Sequence, residues 1–151
     1  MKVLDLFCGM GGWSVGFRRQ GFECLGVDIE DWGYPYELIV EDCRQFHANG
    51  LKPDVIVASP PCKEFSKLRF LNPNKPPNPE KGMELVREAK RIIDEVSPAI
   101  WVIENVEGSV QYIESLLGSP IFVKRPYFLW GKFPSFFLSQ SNFSKKTKGE
   151  H

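Results

Sequence analysis

The sequence predicts an α/β fold in which a mostly parallel sheet carries helices on both faces. Segments with strand character alternate with segments of helical periodicity along most of the chain. Two strand segments, 55–58 (VIVA) and 100–103 (IWVI), are apolar at successive positions. Continuous apolar runs are typical of parallel strands that helices cover on both sides. Together these two observations favour a wound sheet over a sandwich or a helical bundle.

The individual elements follow from the apolar patterning between turn signals. Strands are predicted at 2–7, 23–28, 38–41, 54–58 and 99–106, with a late strand or hairpin at 121–130. Helices are predicted at 13–20, ended by Gly21, at 83–96 and at 109–117. The prolines of 72–79 (NPNKPPNP) fix φ and lack an N–H, so 62–81 is predicted to be one long loop.

Length and composition predict one domain, residues 1–135, followed by a polar, flexible tail, 136–151. The 19 basic and 19 acidic residues cancel, so the charge neither requires nor excludes a nucleic-acid partner. Neither the four cysteines nor the two histidines have metal-ligand spacing, so no metal site is expected. No apolar run approaches the ~20 residues that cross a bilayer. The expectation is a cytoplasmic protein without a membrane partner, nucleoid-associated if bacterial, with reduced thiols.

The polar residues of interest follow the ends of the predicted strands. In a parallel sheet these carboxyl ends meet at one edge, where ligands bind. The residues concerned are Cys8, Gly9, Asp28, Asp42, Pro60, Cys62, Glu104 and Asn105. Their coincidence at one edge indicates a functional site more strongly than any one of them does.

The glycine-rich segment 5–12 (DLFCGMGG) follows the first strand and precedes the first helix. Glycines there let the chain turn tightly and let a cofactor approach the backbone, and the helix N-terminus offers free N–H groups to a carboxylate. A purely structural turn is an equally good interpretation. The spacing is not the G-x-G-x-x-G of dinucleotide-binding folds.

Each of the other candidates also has a structural interpretation. Asp28 follows the glycines by about twenty residues, where an acid can accept ribose hydroxyls, but it can also be a turn or cap aspartate. Asp42 can accept from an adenine amino group or cap the segment after it. Cys62, after two prolines, can be a nucleophile or an inert small hydrophobe. Glu104 can be an acid of raised pKa or a satisfied buried carboxylate.

Taken in order, these motifs resemble those of the DNA cytosine-5-methyltransferase family, from Lys2 to about Trp130. The match lies in the glycine loop, Asp28 with Ile29, Asp42, Pro60-Pro61-Cys62 followed by Phe65-Ser66, and Glu104-Asn105-Val106. The resemblance implies a Rossmann-like fold that binds S-adenosylmethionine (SAM). It implies cofactor contacts from Asp5, Phe7, Cys8, Gly9, Gly11, Gly12, Asp28, Ile29, Asp42, Cys43, Pro60 and Asn105.

The resemblance also implies the chemistry. Cys62 would attack carbon 6 of cytosine, Glu104 would hold and protonate the ring, and Arg125 would contact the cytosine carbonyl. Phe65, Ser66 and Asn105 would contact the substrate, and the loop after Cys62 would close over a flipped base.

The sequence departs from the family pattern near its end. The arginine-rich motif is only partly present, at Lys124-Arg125-Pro126, and too few residues follow Gly131 for a target recognition domain. Three interpretations therefore stay open. The chain is an active enzyme, which either takes its recognition part from a second chain, as in a split methyltransferase, or works alone on an unpaired substrate or RNA. Alternatively, it binds SAM without activity, as a relic or regulatory module, or it is a non-enzymatic partner subunit.

Overall fold

The structure is a computed structural model that describes residues 1–66 and 71–134. The strands are β1 (Lys2–Leu6), β2 (Glu23–Asp28), β3 (Glu37–Val40), β4 (Val55–Ala58), β5 (Ile100–Val106), β6 (Phe122–Lys124) and β7 (Tyr127–Lys132). The helices are α1 (Gly12–Arg19), α2 (Pro79–Val96) and α3 (Val110–Leu117). Each predicted element is present, with ends shifted by a few residues at most, and the late segment is a hairpin.

The strands form one sheet in the order β3-β2-β1-β4-β5-β7-β6. The first five are parallel, and the hairpin β6–β7 adds antiparallel to β5. The strand order reverses between β1 and β4, which is the position where wound sheets open a crevice for a ligand. The predicted mostly parallel α/β architecture is confirmed.

Successive side chains of each strand point to opposite faces of the sheet. Val3 packs in the cluster beneath α1, whereas Leu4 packs in the cluster beneath α2. A third cluster, which includes Phe65 and Trp130, joins α2, α3 and β7. Helices therefore cover both faces, as predicted.

The regular alternation of strands and helices is interrupted at two places. Within the described residues, β2–β3 and β3–β4 are joined by loops without an α-helix. The segment after β3 covers the α2 face in place of a helix, because Cys43, Phe46 and Ala48 are buried there. Arg91 of α2 holds this segment by donating to the carbonyls of Cys43 (3.0 Å) and Phe46 (2.8 Å).

The prediction that all of 72–79 lies outside helices is wrong at its last residue. Pro79 begins α2, since a proline at the first helical position loses no hydrogen bond. The side chain of Asn78 caps this helix by accepting from the Lys81 N–H at 3.2 Å. The predicted loop 62–81 therefore ends at Asn78, and its residues 67–70 lie outside the described residues, as does the predicted tail 136–151.

Within residues 1–66 and 71–134, no helix is both long and apolar enough to cross a membrane. The same part of the chain contains no group of three His, Cys, Asp or Glu side chains that could hold a metal ion.

Candidate active site at the carboxyl edge of the sheet

The glycine loop makes a strained turn between β1 and α1. Phe7 has φ of +56°, which is unfavourable for a residue with a side chain, and Gly11 at φ +86° precedes the first residue of α1. The Gly9 N–H donates to Asp28 Oδ2 at 2.9 Å, which fixes the loop to the end of β2. No side chain caps α1 and no acid lies in its first turn, so its N–H groups remain suited to an anionic ligand group.

Asp5 lies beneath this loop rather than in a ligand cavity. Its side chain is buried, Oδ2 accepts from the Ser14 hydroxyl at 2.6 Å, and Ser14 in turn contacts the Tyr34 hydroxyl at 2.8 Å. Oδ1 has no hydrogen-bond partner. Burial raises the pKa of Asp5 to about 6, although the Ser14 hydrogen bonds oppose the rise. Asp5 therefore supports the loop from below.

A cavity of about 360 Å³ lies beside the ends of β2 and β3. Five residues predicted to bind cofactor line it: Phe7, Asp28, Ile29, Asp42 and Cys43. Trp32 lines it too, and its indole N–H donates to Asp28 Oδ1 at 3.3 Å. Sequence reasoning missed Trp32; the available signal was a tryptophan four residues after a candidate ribose acid. The structure shows that this tryptophan is exposed.

Asp42 is already engaged in this structure. Its carboxylate accepts from the Arg44 backbone N–H at 2.9 Å and from the Arg44 guanidinium at 2.6 Å. These hydrogen bonds lower the pKa of Asp42. In the fully described segment between β3 and β4 no helix follows Asp42, so it caps a turn and not a helix, and an adenine amino group would have to compete with Arg44 for the same oxygens.

The turn after β4 presents the candidate nucleophile. The Asn105 side chain donates to the Pro60 carbonyl at 3.1 Å, so β5 holds the turn that carries Cys62. Cys62 is exposed, whereas the other three cysteines, Cys8, Cys24 and Cys43, are buried. Burial raises the pKa of Cys8 and Cys43 to about 12 and also raises that of Cys24. Cys62 is the thiol best placed to react.

Phe65 and Ser66, which the sequence predicts to contact the substrate, differ in burial. Phe65 is buried in the cluster with Tyr112 and Met83, and its ring packs against Gly82. Ser66 is half-buried. Glu64 is buried as well and accepts from the Asn78 N–H at 2.9 Å. Glu64 and Phe65 therefore anchor the start of the loop instead of facing a ligand.

A second cavity, of about 660 Å³, lies on the α1 side of β5. Glu104 lines it together with Gly12, Trp13, Lys124 and Tyr127. Burial raises the pKa of Glu104, and a hydrogen bond from Ser59 partly opposes the rise. The Ser59 hydroxyl also accepts from the Trp13 indole at 3.0 Å.

Ser59 lines the smaller cavity, and it bonds to Trp13, which lines the larger one. Trp13 and Ser59 were missed as site residues. Their positions, one residue into α1 and one residue after β4, place them beside the switch point of the sheet.

Arg125 is not brought together with Glu104. Its side chain is largely exposed and forms an ion pair with Glu107 at 2.7 Å. It occupies the turn between β6 and β7, whereas the neighbouring Lys124 lines the Glu104 cavity.

The fold is shared with a solved structure. A crystal structure of a candidate DNA modification methyltransferase encoded within an E. coli prophage superposes with a TM-score of 0.62. The similarity covers 91% of this chain and 48% of that one, at 24% sequence identity.

The sequence comparison defines the family. A profile of the C-5 cytosine-specific DNA methylases matches residues 1–114, so the chain belongs to that family. A probable DNA (cytosine-5)-methyltransferase of Frog virus 3 is 35% identical over 118 residues, which are 70% of this chain and 53% of the viral protein. The type II methyltransferase M.FnuDI of Fusobacterium nucleatum is 32% identical over 72% of this chain and 33% of its own length. The chain thus spans between a third and about half of these relatives.

Proposed function

We propose that this chain is the cofactor-binding and catalytic core of a DNA cytosine-5-methyltransferase that uses SAM. The observation that carries the proposal is the joining of β4 to β5. Ser59 bonds to Glu104, and the next residue, Pro60, accepts from Asn105. The turn that carries the exposed thiol of Cys62 is thereby joined to the strand that carries Glu104, a carboxyl group of raised pKa. The names of the relatives favour DNA over RNA as the substrate.

The residues around the smaller cavity fit a nucleoside with an attached amino-acid group. Ile29 and Trp32 offer apolar surface for an adenine ring, and both line the cavity with Asp28. Asp28 accepts three hydrogen bonds, of which that from Trp32 is the longest at 3.3 Å. A carboxylate has about four lone-pair positions, so Asp28 can take a ribose hydroxyl. The uncapped N-terminus of α1 suits the carboxylate of the methionine part.

In the proposed reaction, Cys62 is the nucleophile and Glu104 is the acid. Cys62 gives up its proton to solvent, and its thiolate sulfur bonds to carbon 6 of cytosine. The displaced electron pair moves into the ring, where Glu104 donates its proton to N3. SAM, when bound, supplies an electrophilic methyl group to the carbon 5 that this addition makes nucleophilic. A base removes the proton of carbon 5, the electrons expel the Cys62 thiolate, and N3 returns its proton to Glu104.

The raised pKa of Glu104 serves this sequence. A carboxyl group that burial holds protonated to higher pH can donate a hydrogen bond before it transfers a proton. Ser59 orients it, and the Trp13 indole orients Ser59. Two side chains, one at the start of α1 and one directly after β4, thus fix the carboxyl group of Glu104.

A covalent trap tests the proposal. The purified chain and SAM are mixed with oligonucleotides that carry 5-fluorocytosine, as duplex DNA, single-stranded DNA and RNA. Fluorine on carbon 5 blocks the last proton removal, so a working enzyme stays attached. We expect an adduct that survives denaturation on DNA, none with Cys62→Ala, and a rate for Glu104→Gln lowered by about 100-fold or more.

Two controls separate the outcomes. Cys24→Ser removes a buried thiol and should leave the adduct unchanged, which ties the loss in Cys62→Ala to the exposed cysteine. Calorimetric titration with SAM reports cofactor binding without turnover. SAM binding with no adduct on any oligonucleotide would reject activity of the chain alone and would favour a core that needs further sequence or a second chain.

A further inference from the structure

We propose that Lys124, and not Arg125, is the cation that contacts the cytosine carbonyl in the Glu104 cavity. The inference rests on the proposed function and assigns to a different residue the contact that the sequence motif predicts for Arg125. The family profile ends at residue 114, so the hairpin that carries both cations lies beyond the matched region. Their roles must therefore be assigned from the geometry of the hairpin.

The pairing of the strands places Lys124 on the face of Glu104. Glu104 of β5 lies opposite Leu129 of β7, and Leu129 lies opposite Phe122 of β6. Residues directly opposite in antiparallel strands project to the same face, as do residues two apart in one strand. Lys124 is two residues after Phe122 and lies opposite Tyr127, which is itself two residues before Leu129. Both Lys124 and Tyr127 accordingly line the cavity with Glu104.

Arg125 leaves this face because it occupies the turn. It lies between the end of β6 at Lys124 and the start of β7 at Tyr127. Its guanidinium bonds to Glu107, the residue directly after β5, at 2.7 Å. This ion pair joins the hairpin turn to the residue after β5, and Arg125 is not among the residues that line the cavity with Glu104.

The chemistry of the site calls for a cation on this side of the ring. When a sulfur adds to carbon 6 of cytosine, negative charge develops on the ring nitrogen and on the carbonyl oxygen. Glu104 neutralises the charge at the nitrogen, and a donor is needed at the oxygen. A lysine ammonium is a compact charge on a flexible stem, so it can reach a single carbonyl from the edge of a cavity.

The test compares three single variants in the full chain. The rate of adduct formation on a 5-fluorocytosine oligonucleotide with SAM is measured for Lys124→Ala, Arg125→Ala and Lys132→Ala. Removal of one donor to a developing oxyanion costs about 100-fold or more, so we expect that loss for Lys124→Ala. For Arg125→Ala we expect the rate of adduct formation to fall by less than about tenfold, because the hairpin turn becomes looser. For Lys132→Ala we expect no change in this rate, because Lys132 is exposed at the far end of β7.

Two further readouts distinguish a contact with substrate from a structural role. The affinity for SAM should be unchanged in Lys124→Ala, and Lys124→Arg should recover part of the rate, because it restores a donor. Deoxycytidine is titrated against the parent and Lys124→Ala, with the Trp13 indole N–H resonance as the probe. We expect at least a fivefold weaker affinity in the variant.

The outcomes separate this inference from the function on which it rests. An active parent with Lys124→Ala near the parental rate, or with Arg125→Ala as the more damaged variant, would overturn the assignment to Lys124 and leave the proposed function intact. A parent that forms no adduct and does not bind deoxycytidine would reject both.

Discussion

At the scale of single residues, the carboxyl groups of Asp5 and Glu104 show how position sets chemistry. Both have a pKa raised by burial, but Asp5 is sealed under the glycine loop while Glu104 opens onto a cavity. Asp5 bonds to Ser14 and through it to Tyr34, so it joins β1, α1 and the loop after β2. The first carboxyl group therefore supports the site and the second is placed to react.

The buried Asp5 predicts a pH dependence of stability. Its pKa rises from 3.8 to about 6 on folding, so between these pH values the folded state binds a proton that the unfolded state releases. The free energy of unfolding therefore falls as pH rises through this window, by up to ~3 kcal/mol for a shift of this size. Asp5→Asn cannot ionise, and its amide oxygen can still accept from Ser14.

We expect Asp5→Asn to gain stability relative to the parent as pH rises from 4 to 7, in urea unfolding followed by tryptophan fluorescence. The low end of the range is the reference, since there the folded parent, like the variant, carries a neutral side chain. A stability difference that does not change with pH would show that Asp5 is not held protonated by the fold.

At the scale of elements, the sequence predicted the strands and helices well because their signals are local. Apolar runs and helical spacing do not depend on what lies across the sheet, so β1 to β5 were located to within two residues. The end of the loop at Asn78 was harder to predict from the sequence. A proline generally indicates a loop, but at the first position of a helix it is favourable.

Contacts between elements were not predictable in the same way. Phe65 follows Cys62 by three residues, which places it in the site by sequence, yet the fold buries it under α3. The roles of Ser59 and Trp13 exist only because α1, β4 and β5 meet at one edge. Lys124 and Arg125 are adjacent, and only the register of β6 with β7 separates them.

The anchor of the loop after Cys62 gives a test at this scale. A Cβ on Gly108 would lie 2.1 Å from the Phe65 carbonyl oxygen, so the backbone of one segment would have to move. We expect Gly108→Ala to lower the free energy of unfolding by about 1–3 kcal/mol and to slow adduct formation at Cys62. Gly16→Ala is the matched control, because a Cβ there meets nothing within 4 Å in the middle of α1.

The control should raise stability by about 0.5–1 kcal/mol, as alanine does in place of glycine in a helix. Urea unfolding measures both variants. Equal stability of Gly108→Ala and the parent would mean that the segment after Cys62 is not held against the turn after β5.

At the scale of the whole molecule, both cavities are lined in part by residues at the carboxyl edge of the sheet. Five residues that the sequence predicts to bind cofactor line the smaller cavity, and Glu104 and Lys124 line the larger one. Ser59 lines the smaller cavity and bonds to Trp13 of the larger one. The proposed function needs a methyl donor in the first cavity and a cytosine in the second to meet near the ends of β1 and β4. The reversal of strand order at this point is what brings them together.

The balanced charge of the chain predicts a weak affinity for duplex DNA. Phosphate contacts supply most non-specific affinity, and 19 basic residues against 19 acidic ones leave no excess to supply them. We expect a duplex to bind with a Kd of about 10⁻⁴ M or weaker at physiological salt, and with a shallow dependence on salt concentration. Anisotropy of a labelled duplex, measured from low to physiological salt, gives both quantities.

A duplex whose target cytosine is mismatched is the control, because flipping that base costs less free energy and should strengthen binding. Tight, steeply salt-dependent binding of the paired duplex would contradict the argument from net charge and would place a phosphate-binding surface on the lysine-rich segments 63–75 or 145–148.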